Sequence, residues 1–260
     1  MVQTNNSIPA GRQQRIMDFL SVNDSISIKE AAELCNVSEA TARRDLDDMA
    51  LTDLVERTHG GAMILHRGTG FEAIHSEKQT VMIPEKKKIA KAAAELVRDG
   101  DSIFLDSGTT ACMLAEQLST VKRLTIVTNN LDIAYAAKMD PSSTMIVTGG
   151  FRRDGYNVLV GDIGEEFIKK LYVDIAFLGA DAVNVEKGVF NSNFLEIGIK
   201  KSILNCGKKR VMISDCSKFS KKALAKVCDI EDFDCIITDE GIGEEKRKVL
   251  EEKIPRLIVV

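Results

Sequence analysis

The sequence predicts a mixed α/β protein in two unequal parts, a small helical head closed by a hairpin and a larger body built on a mainly parallel sheet. Three observations predict it. Residues 11–49 carry three short stretches of helical apolar spacing, each separated by turn and cap residues, and two strand-like runs around Gly60-Gly61 follow. From Ile103 onward, Val/Ile/Leu-rich runs alternate with helical patterns to the end of the chain. Between them lies a stretch punctuated by Gly68, Gly70 and Pro84. The expected organisation is a head over 1–66, a linker over 67–84 and a body over 85–260.

The 260 residues are 44% hydrophobic and 28% charged, which permits a sizeable core. No long uncharged apolar run is present, so no membrane partner is expected. The polar start, Met1 to Ala10, lacks a signal-peptide core and reads as a flexible tail. Cys35, Cys112, Cys206, Cys216, Cys228 and Cys235 form no C-x-x-C pair, and the histidines are not clustered beside them. That argues for reduced thiols in the cytoplasm and against a bound metal. Net charge is −4, and the head carries all of it, with six basic against ten acidic residues over 1–66. If the head meets nucleic acid, a few well-placed arginines must do it rather than bulk charge.

In the head, Gly11–Leu20 reads as a helix, with Ile16, Phe19 and Leu20 at helical spacing. Ser21–Ser25 reads as a polar turn. Ser27-Ile-Lys-Glu30 is a capping box that starts a second helix. After the link Asn36-Val37, Ser38 caps a third helix from Glu39 to about Met49. Two short helices so joined follow the helix-turn-helix plan. Ala42, Leu46 and Met49 share the core face of the third helix; Ala40, Thr41, Arg43 and Arg44 lie on or beside the opposite one. A recognition helix offers such residues to base edges, Arg to guanine, Thr or Ala to a thymine methyl. The competing account pairs Arg43 and Arg44 with Asp47 and Asp48 on a solvated face. Leu54–Thr58 and Ala62–Leu65 then form a hairpin, in this position a wing, with Arg57, Thr58 and His59 near its tip for phosphate or minor-groove contact. A plain turn is the alternative for His59.

In the linker, Arg67–Phe71 reads as loose, Phe71–Lys78 as a short helix and Met82-Ile-Pro84 as a break. Pro84 then suits the first turn of a helix over Glu85–Arg98. The run Lys86-Lys-Lys88 reads as a solvated face.

The expected strands of the body are Ile103–Leu105, Leu124–Thr128, Met145–Thr148, Ile175–Leu178, Arg210–Ser214, Cys235–Thr238 and Leu257–Val260, with helices Ala111–Leu118, Leu131–Lys138, Ile163–Leu171, Phe194–Cys206 and Glu244–Lys253 between them. This is a Rossmann-like α/β sheet. Phe151–Val160 reads as an inserted hairpin or flap. Five strand ends carry small or polar groups: Asp106-Ser107-Gly108-Thr109-Thr110, Asn129-Asn130, Gly149-Gly150, Gly179-Ala180-Asp181 and Asp215–Lys218. In open α/β sheets such ends converge on one ligand crevice. The first is a turn that opens a helix, a ready anion site. An ordinary capped turn is the bland reading of it alone. Taken together the groups suit a phosphorylated polyol, with Thr109, Thr110 and Lys218 for phosphate and Asn129, Asp181 and Glu196 for hydroxyls. No dinucleotide fingerprint, Walker motif or metal cluster is evident, so no cofactor is expected.

Arg12 with Ile16, then Val37-Ser-Glu-Ala-Thr-Ala-Arg-Arg-Asp-Leu46, then Arg57-Thr-His-Gly-Gly-Ala62, resemble the DNA-binding head of DeoR-type bacterial regulators. Asp106-Ser-Gly-Thr-Thr110, Val127-Thr-Asn-Asn130, Thr148-Gly-Gly150, Asp174–Asp181 and Ser214-Asp-Cys-Ser-Lys-Phe219 are similar to the effector domain of the same family. The resemblance spans nearly the whole chain. It implies a winged helix-turn-helix on an effector domain similar in fold to ribose-5-phosphate isomerase. The expected partners are operator DNA, a phosphorylated sugar or related metabolite, and further copies of the chain as a homo-oligomer. The isomerase carries an Asp-Gly-Ala-Asp segment, and a Lys-Gly run followed by a Glu. Gly179-Ala180-Asp181, Lys187-Gly188 and Glu196 resemble these, but Leu178 stands where the leading Asp would be. Loss of that acid favours binding without turnover. The rivals are an active sugar-phosphate isomerase or deaminase with an attached head, and a constitutive DNA-binding protein whose body serves assembly.

Overall fold

The computed structural model describes residues 8–52, 54–64, 68–70, 72, 75–153 and 155–260, with the side chains of 75–77 outside the description. The expected tail before Ile8, and Leu65, Arg67 and Phe71 of the expected wing and linker, lie outside the described residues. The chain divides into two compact units, Met1–Gly68 and Thr69–Val260.

In the first unit, α1 (Pro9–Asn23) is followed by β1 (Ser25–Ser27), α2 (Ile28–Cys35), α3 (Glu39–Leu51), β2 (Val55–Thr58) and β3 (Gly61–Ile64). The capping box forms as the sequence requires: Glu30 N–H donates to Ser27 Oγ (3.1 Å), and Ser27 N–H to Glu30 Oε2 (2.8 Å). Asn36 ends α2 in the left-handed conformation (φ +54°). Ile16, Leu20, Ala31, Cys35, Ala42, Leu46 and Met49 close the core. One expectation is corrected. The wing is a three-stranded sheet, ordered β1-β3-β2, because Ser25–Ser27, expected to lead from the turn that ends at Ser25 into the helix capped by Ser27, pairs antiparallel with Gly61–Met63. Gly61 has no room for a Cβ, which would lie 2.0 Å from the Ile26 carbonyl oxygen.

The second unit begins with α4 (His75–Thr80) and α5 (Ile83–Ala94), then β4 (Ser102–Leu105), α6 (Thr109–Gln117), β5 (Thr125–Thr128), α7 (Leu131–Ala136) and β6 (Thr144–Val147). The hairpin β7 (Phe151–Arg153) and β8 (Val158–Val160) comes next, followed by α8 (Asp162–Ile168), β9 (Val173–Leu178), β10 (Ala182–Asn184), β11 (Gly188–Asn191), α9 (Ile197–Cys206), β12 (Gly207–Ile213), β13 (Ala225–Cys228), β14 (Cys235–Thr238), α10 (Glu244–Lys253) and β15 (Leu257–Val259). All seven expected strands join one parallel sheet, ordered β15-β14-β12-β9-β4-β5-β6. The chain winds outward from β4 through β5 and β6, then returns to lay β9 on the other side of β4. That reversal opens a crevice at the C-terminal ends of β4 and β9. A second sheet, β10-β11-β13, is antiparallel and was not anticipated. Its strands are short and partly polar, so neither a continuous apolar run nor clear alternation marks them.

Two further readings are revised. The α5 helix begins at Ile83 and ends at Ala94, not Arg98. Lys86 is not on a solvated face. It shares the helix face of Ile89, Ala90 and Ala93, is 2% exposed, and donates to the carbonyls of Lys78 and Val81.

Candidate functional site

The crevice at the β4/β9 reversal holds a cavity walled by Ser107–Ala111, Gly179–Asp181, Ser214–Asp215 and Lys218, together with Glu72, Lys78, Glu196 and Lys200. The α6 helix opens onto it. Gly108, at φ +134°, is the N-cap and supplies no side-chain acceptor for the first-turn N–H groups. Thr109 and Thr110 are buried at this end, and the helix dipole favours an anion there. Lys218, in the 3-10 turn Cys216–Ser220, faces the same space. Ser214 adds a buried hydroxyl with no partner within the described residues.

Beneath this wall sits a buried ion pair. Asp106 is 0% exposed and accepts from Lys200 Nζ and from Gly179 N–H (3.1 Å). Asp106 therefore braces the two strand ends against each other and does not reach the cavity, contrary to its expected contact role. Burial opposes the Lys200 charge, yet Asp106 and Glu196 hold its pKa above the usual lysine value.

The carboxylates facing the cavity are committed within the chain. Asp181 accepts from Lys78 Nζ (2.8 Å) and Ser192 N–H (3.0 Å). Burial works against its charge, but Lys78 and then Lys218 keep its pKa below the usual carboxylate range. Glu196 accepts from Asn191 Nδ2 (3.1 Å) and from Arg153. Here burial prevails and pushes the carboxyl pKa up. Glu72 accepts from Lys78 (2.9 Å) and Arg153 (2.8 Å), and Tyr156 Oη donates to its carbonyl (2.9 Å). Lys221, crowded by Lys218 and half-buried, is lowered to about 7.

Of the residues expected at the effector site, the structure brings together Ser107, Gly108, Thr109, Thr110, Asp181, Glu196 and Lys218. It does not bring Asn129, Asn130, Gly149 or Gly150 to the cavity wall. Asn129, Asn130 and Gly150 lie against the β7–β8 hairpin instead. Leu159 N–H donates to the Asn129 carbonyl (2.8 Å), Asn129 Nδ2 to the Leu159 carbonyl (3.3 Å), and Asn130 caps α7 through Ile133 N–H (2.9 Å). Gly150, at φ +119°, lies against Val160. Sequence reasoning missed Glu72, Lys78, Lys86, Lys200, Arg153 and Tyr156. Two of them left a signal: Lys86 in its helical spacing to Ile89, Ala90 and Ala93, and Lys200 in its i,i+4 spacing from Glu196.

On the head, Ser38 is the N-cap of α3, accepting from Thr41 N–H (3.3 Å), and its Oγ lies 3.0 Å from Thr41 Oγ1. Ala40, Arg43 and Arg44 are exposed. No side-chain hydrogen bond or ion pair engages Arg43 or Arg44 among the described residues. Asp47 instead pairs with Arg57 (2.7 Å), which also donates to the Gly61 carbonyl and so ties the wing to α3. Thr58 and His59 are exposed at the wing. Arg12 forms a bidentate pair with Asp45 (2.6 and 2.8 Å), which spends one of the head's six basic residues inside the fold.

Comparison with known proteins decides the family. The profile of the DeoR C terminal sensor domain matches residues 82–240, and that of the DeoR-like helix-turn-helix domain matches residues 12–67. The chain belongs to the DeoR family. It is 30% identical over 253 residues to an HTH-type transcriptional regulator of Haemophilus influenzae, covering 97% of this chain and 98% of that one. It is 31% identical over 236 residues to the lactose phosphotransferase system repressor of Lactococcus lactis subsp. lactis, covering 90% and 92%. Ribose 5-phosphate isomerase A of Methanocaldococcus jannaschii overlaps 52% of this chain and 54% of its own at 22% identity, with a TM-score of 0.37. This DeoR-family chain is a DNA-binding transcriptional regulator. No helix among the described residues is long and apolar enough to cross a membrane.

Proposed function

We propose that the chain is a repressor of a sugar-metabolism operon, released or tightened on its operator by a phosphorylated sugar bound in the β4/β9 crevice. The uncapped N-terminus of α6, opening on a cavity beside Lys218, carries the reading. Phosphate binds Ser107–Thr110 and Lys218; the sugar hydroxyls meet Asp181, Glu196 and Ser214. Operator bases are read by Ala40, Thr41, Arg43 and Arg44. Ser38 fixes the start of that helix, and Arg57, Thr58 and His59 lie on the phosphates. The protein acts in the cytoplasm as a homo-oligomer matched to repeated half-sites, and binds its sugar without turnover, since Leu178 offers no acid.

The test is fluorescence anisotropy on an operator selected by the wild-type protein from random DNA, with and without a panel of sugar phosphates. Arg44→Ala should weaken that operator by about 1–3 kcal/mol at constant salt and leave non-specific binding nearly intact. Unchanged affinity removes α3 as the reading helix. A panel in which no compound alters operator binding removes the sensor.

A further inference from the structure

Residues 68–81 fall between the two family profiles, which end at 67 and resume at 82. Yet this connecting segment supplies the cavity with two charged side chains, Glu72 and Lys78. The Glu72 carboxylate divides its oxygens between Lys78 (2.9 Å) and Arg153 (2.8 Å). The Tyr156 ring lies 4.3 Å from the Arg153 guanidinium carbon and 5.9 Å from Lys78 Nζ. The Glu72 side chain is 9% exposed and that of Arg153 11%. A buried carboxylate shared by two cations over an aromatic ring is the arrangement a ligand's carboxylate or phosphate would take. The cavity wall carries four lysines and four carboxylates, Glu72 among the latter. Without Glu72 the wall is left with one positive charge in excess.

We propose that Lys78 and Arg153 form a second anion subsite of the effector pocket, held in this state by Glu72 as a tethered occupant, and that an effector with two anionic ends displaces it. The proposal rests on the sensor reading above. A tethered group competes at an effective concentration on the order of millimolar, which a free monoanion does not overcome. An effector anchored by its phosphate at α6 presents its other anionic end at a comparable effective concentration, so a phosphorylated sugar acid or a sugar bisphosphate exchanges with Glu72 where a sugar monophosphate does not. Exchange removes the Glu72–Arg153 attachment of the segment that leads in sequence to the DNA-binding unit.

The test is calorimetric titration of the full chain with inorganic phosphate, a hexose 6-phosphate, the corresponding phosphorylated aldonic acid and a hexose bisphosphate. The wild type should bind at least one doubly anionic compound ten-fold or more tighter than the hexose monophosphate, and the last two ligands separate carboxylate from phosphate as the second group. Glu72→Gln should bind the hexose monophosphate several-fold tighter than wild type, and Arg153→Met should abolish the preference for the second anion. Trypsin should cut after Lys78 faster in ligand-free Glu72→Gln than in ligand-free wild type. A wild type without preference for the second anion, or a Glu72→Gln variant that binds no tighter, overturns the proposal. Should no compound bind any of the proteins, the sensor reading falls. Cleavage without ligand then decides the tether, and equal rates after Lys78 in the two proteins overturn it.

Discussion

The Arg12–Asp45 pair sets the charge logic of the head. Both oxygens of Asp45 are used, and the side chains are only 9% and 4% exposed. Arg12 is held above the usual arginine value by its hydrogen bond to Asp45. The pair joins α1 to the buried side of α3 one residue beyond Arg44, so it fixes the helix that carries the reading face. Breaking such a pair leaves an uncompensated charge inside a small core. Asp45→Asn should therefore cost about 3 kcal/mol, at the low end for a broken buried pair because the head is small and water is near. Chemical denaturation of the full chain, followed by the head's own transition, measures it. A cost below about 0.5 kcal/mol, as for a surface pair, would show that Arg12 is solvated in the head.

At the scale of elements, the β7–β8 hairpin engages the ends of β5 and β6, which do not line the cavity. It pairs with Asn129 and Asn130 after β5, and Gly150 turns into it at φ +119°. A Cβ at Gly150 would lie 2.6 Å from the Val160 carbonyl oxygen, so Gly150→Ala forces the backbone of the hairpin to shift. The expected outcome is a loss of about 1–3 kcal/mol in stability, and weaker effector binding because Arg153 and Tyr156 move with the hairpin. Thermal unfolding and calorimetry read the two effects, and a variant that binds as tightly as wild type would separate the hairpin from the site. The same hairpin explains what the sequence could tell. The seven parallel strands were legible because burial on both faces demands continuous Val/Ile/Leu runs such as Ile103–Leu105. The strand-end rule then placed Ser107–Thr110, Asp181 and Lys218 correctly around the cavity. It over-reached at Asn129 and Gly150, because the β7–β8 hairpin engages those positions after β5 and β6, while the ends of β4, β9 and β12 line the cavity. Glu72, Lys78 and Arg153 were illegible for a different reason: no motif marks them, and only tertiary pairing, Glu72 with Arg153 across 81 positions and Lys78 with Asp181 across 103, assembles the cluster. Ser25–Ser27 was hidden likewise, since one isoleucine between a turn serine and a capping serine carries no strand pattern until Gly61–Met63 pairs with it.

For the whole molecule, an effector that controls operator binding must do so through a difference in free energy between states. A ligand at a hundred-fold excess over its Kd stabilises the unit that binds it by about 2.7 kcal/mol. Calorimetry of the full chain should accordingly show the transition of Thr69–Val260 rising with effector, while that of Met1–Gly68 rises with operator DNA. Coupling adds a stricter requirement. If effector changes operator affinity by some factor, typically about 5- to 150-fold, operator must change effector affinity by the same factor. Both arms are measurable on the full chain, by operator anisotropy at saturating effector and by effector titration of the operator complex. Equal factors, both reduced toward unity in Glu72→Gln, place the coupling in the segment that carries Glu72. Equal factors untouched by that substitution place it elsewhere in the fold. Operator binding that does not change with effector, with the ligand still stabilising its own unit, would leave a sugar-phosphate-binding body that carries a DNA-binding head without controlling it.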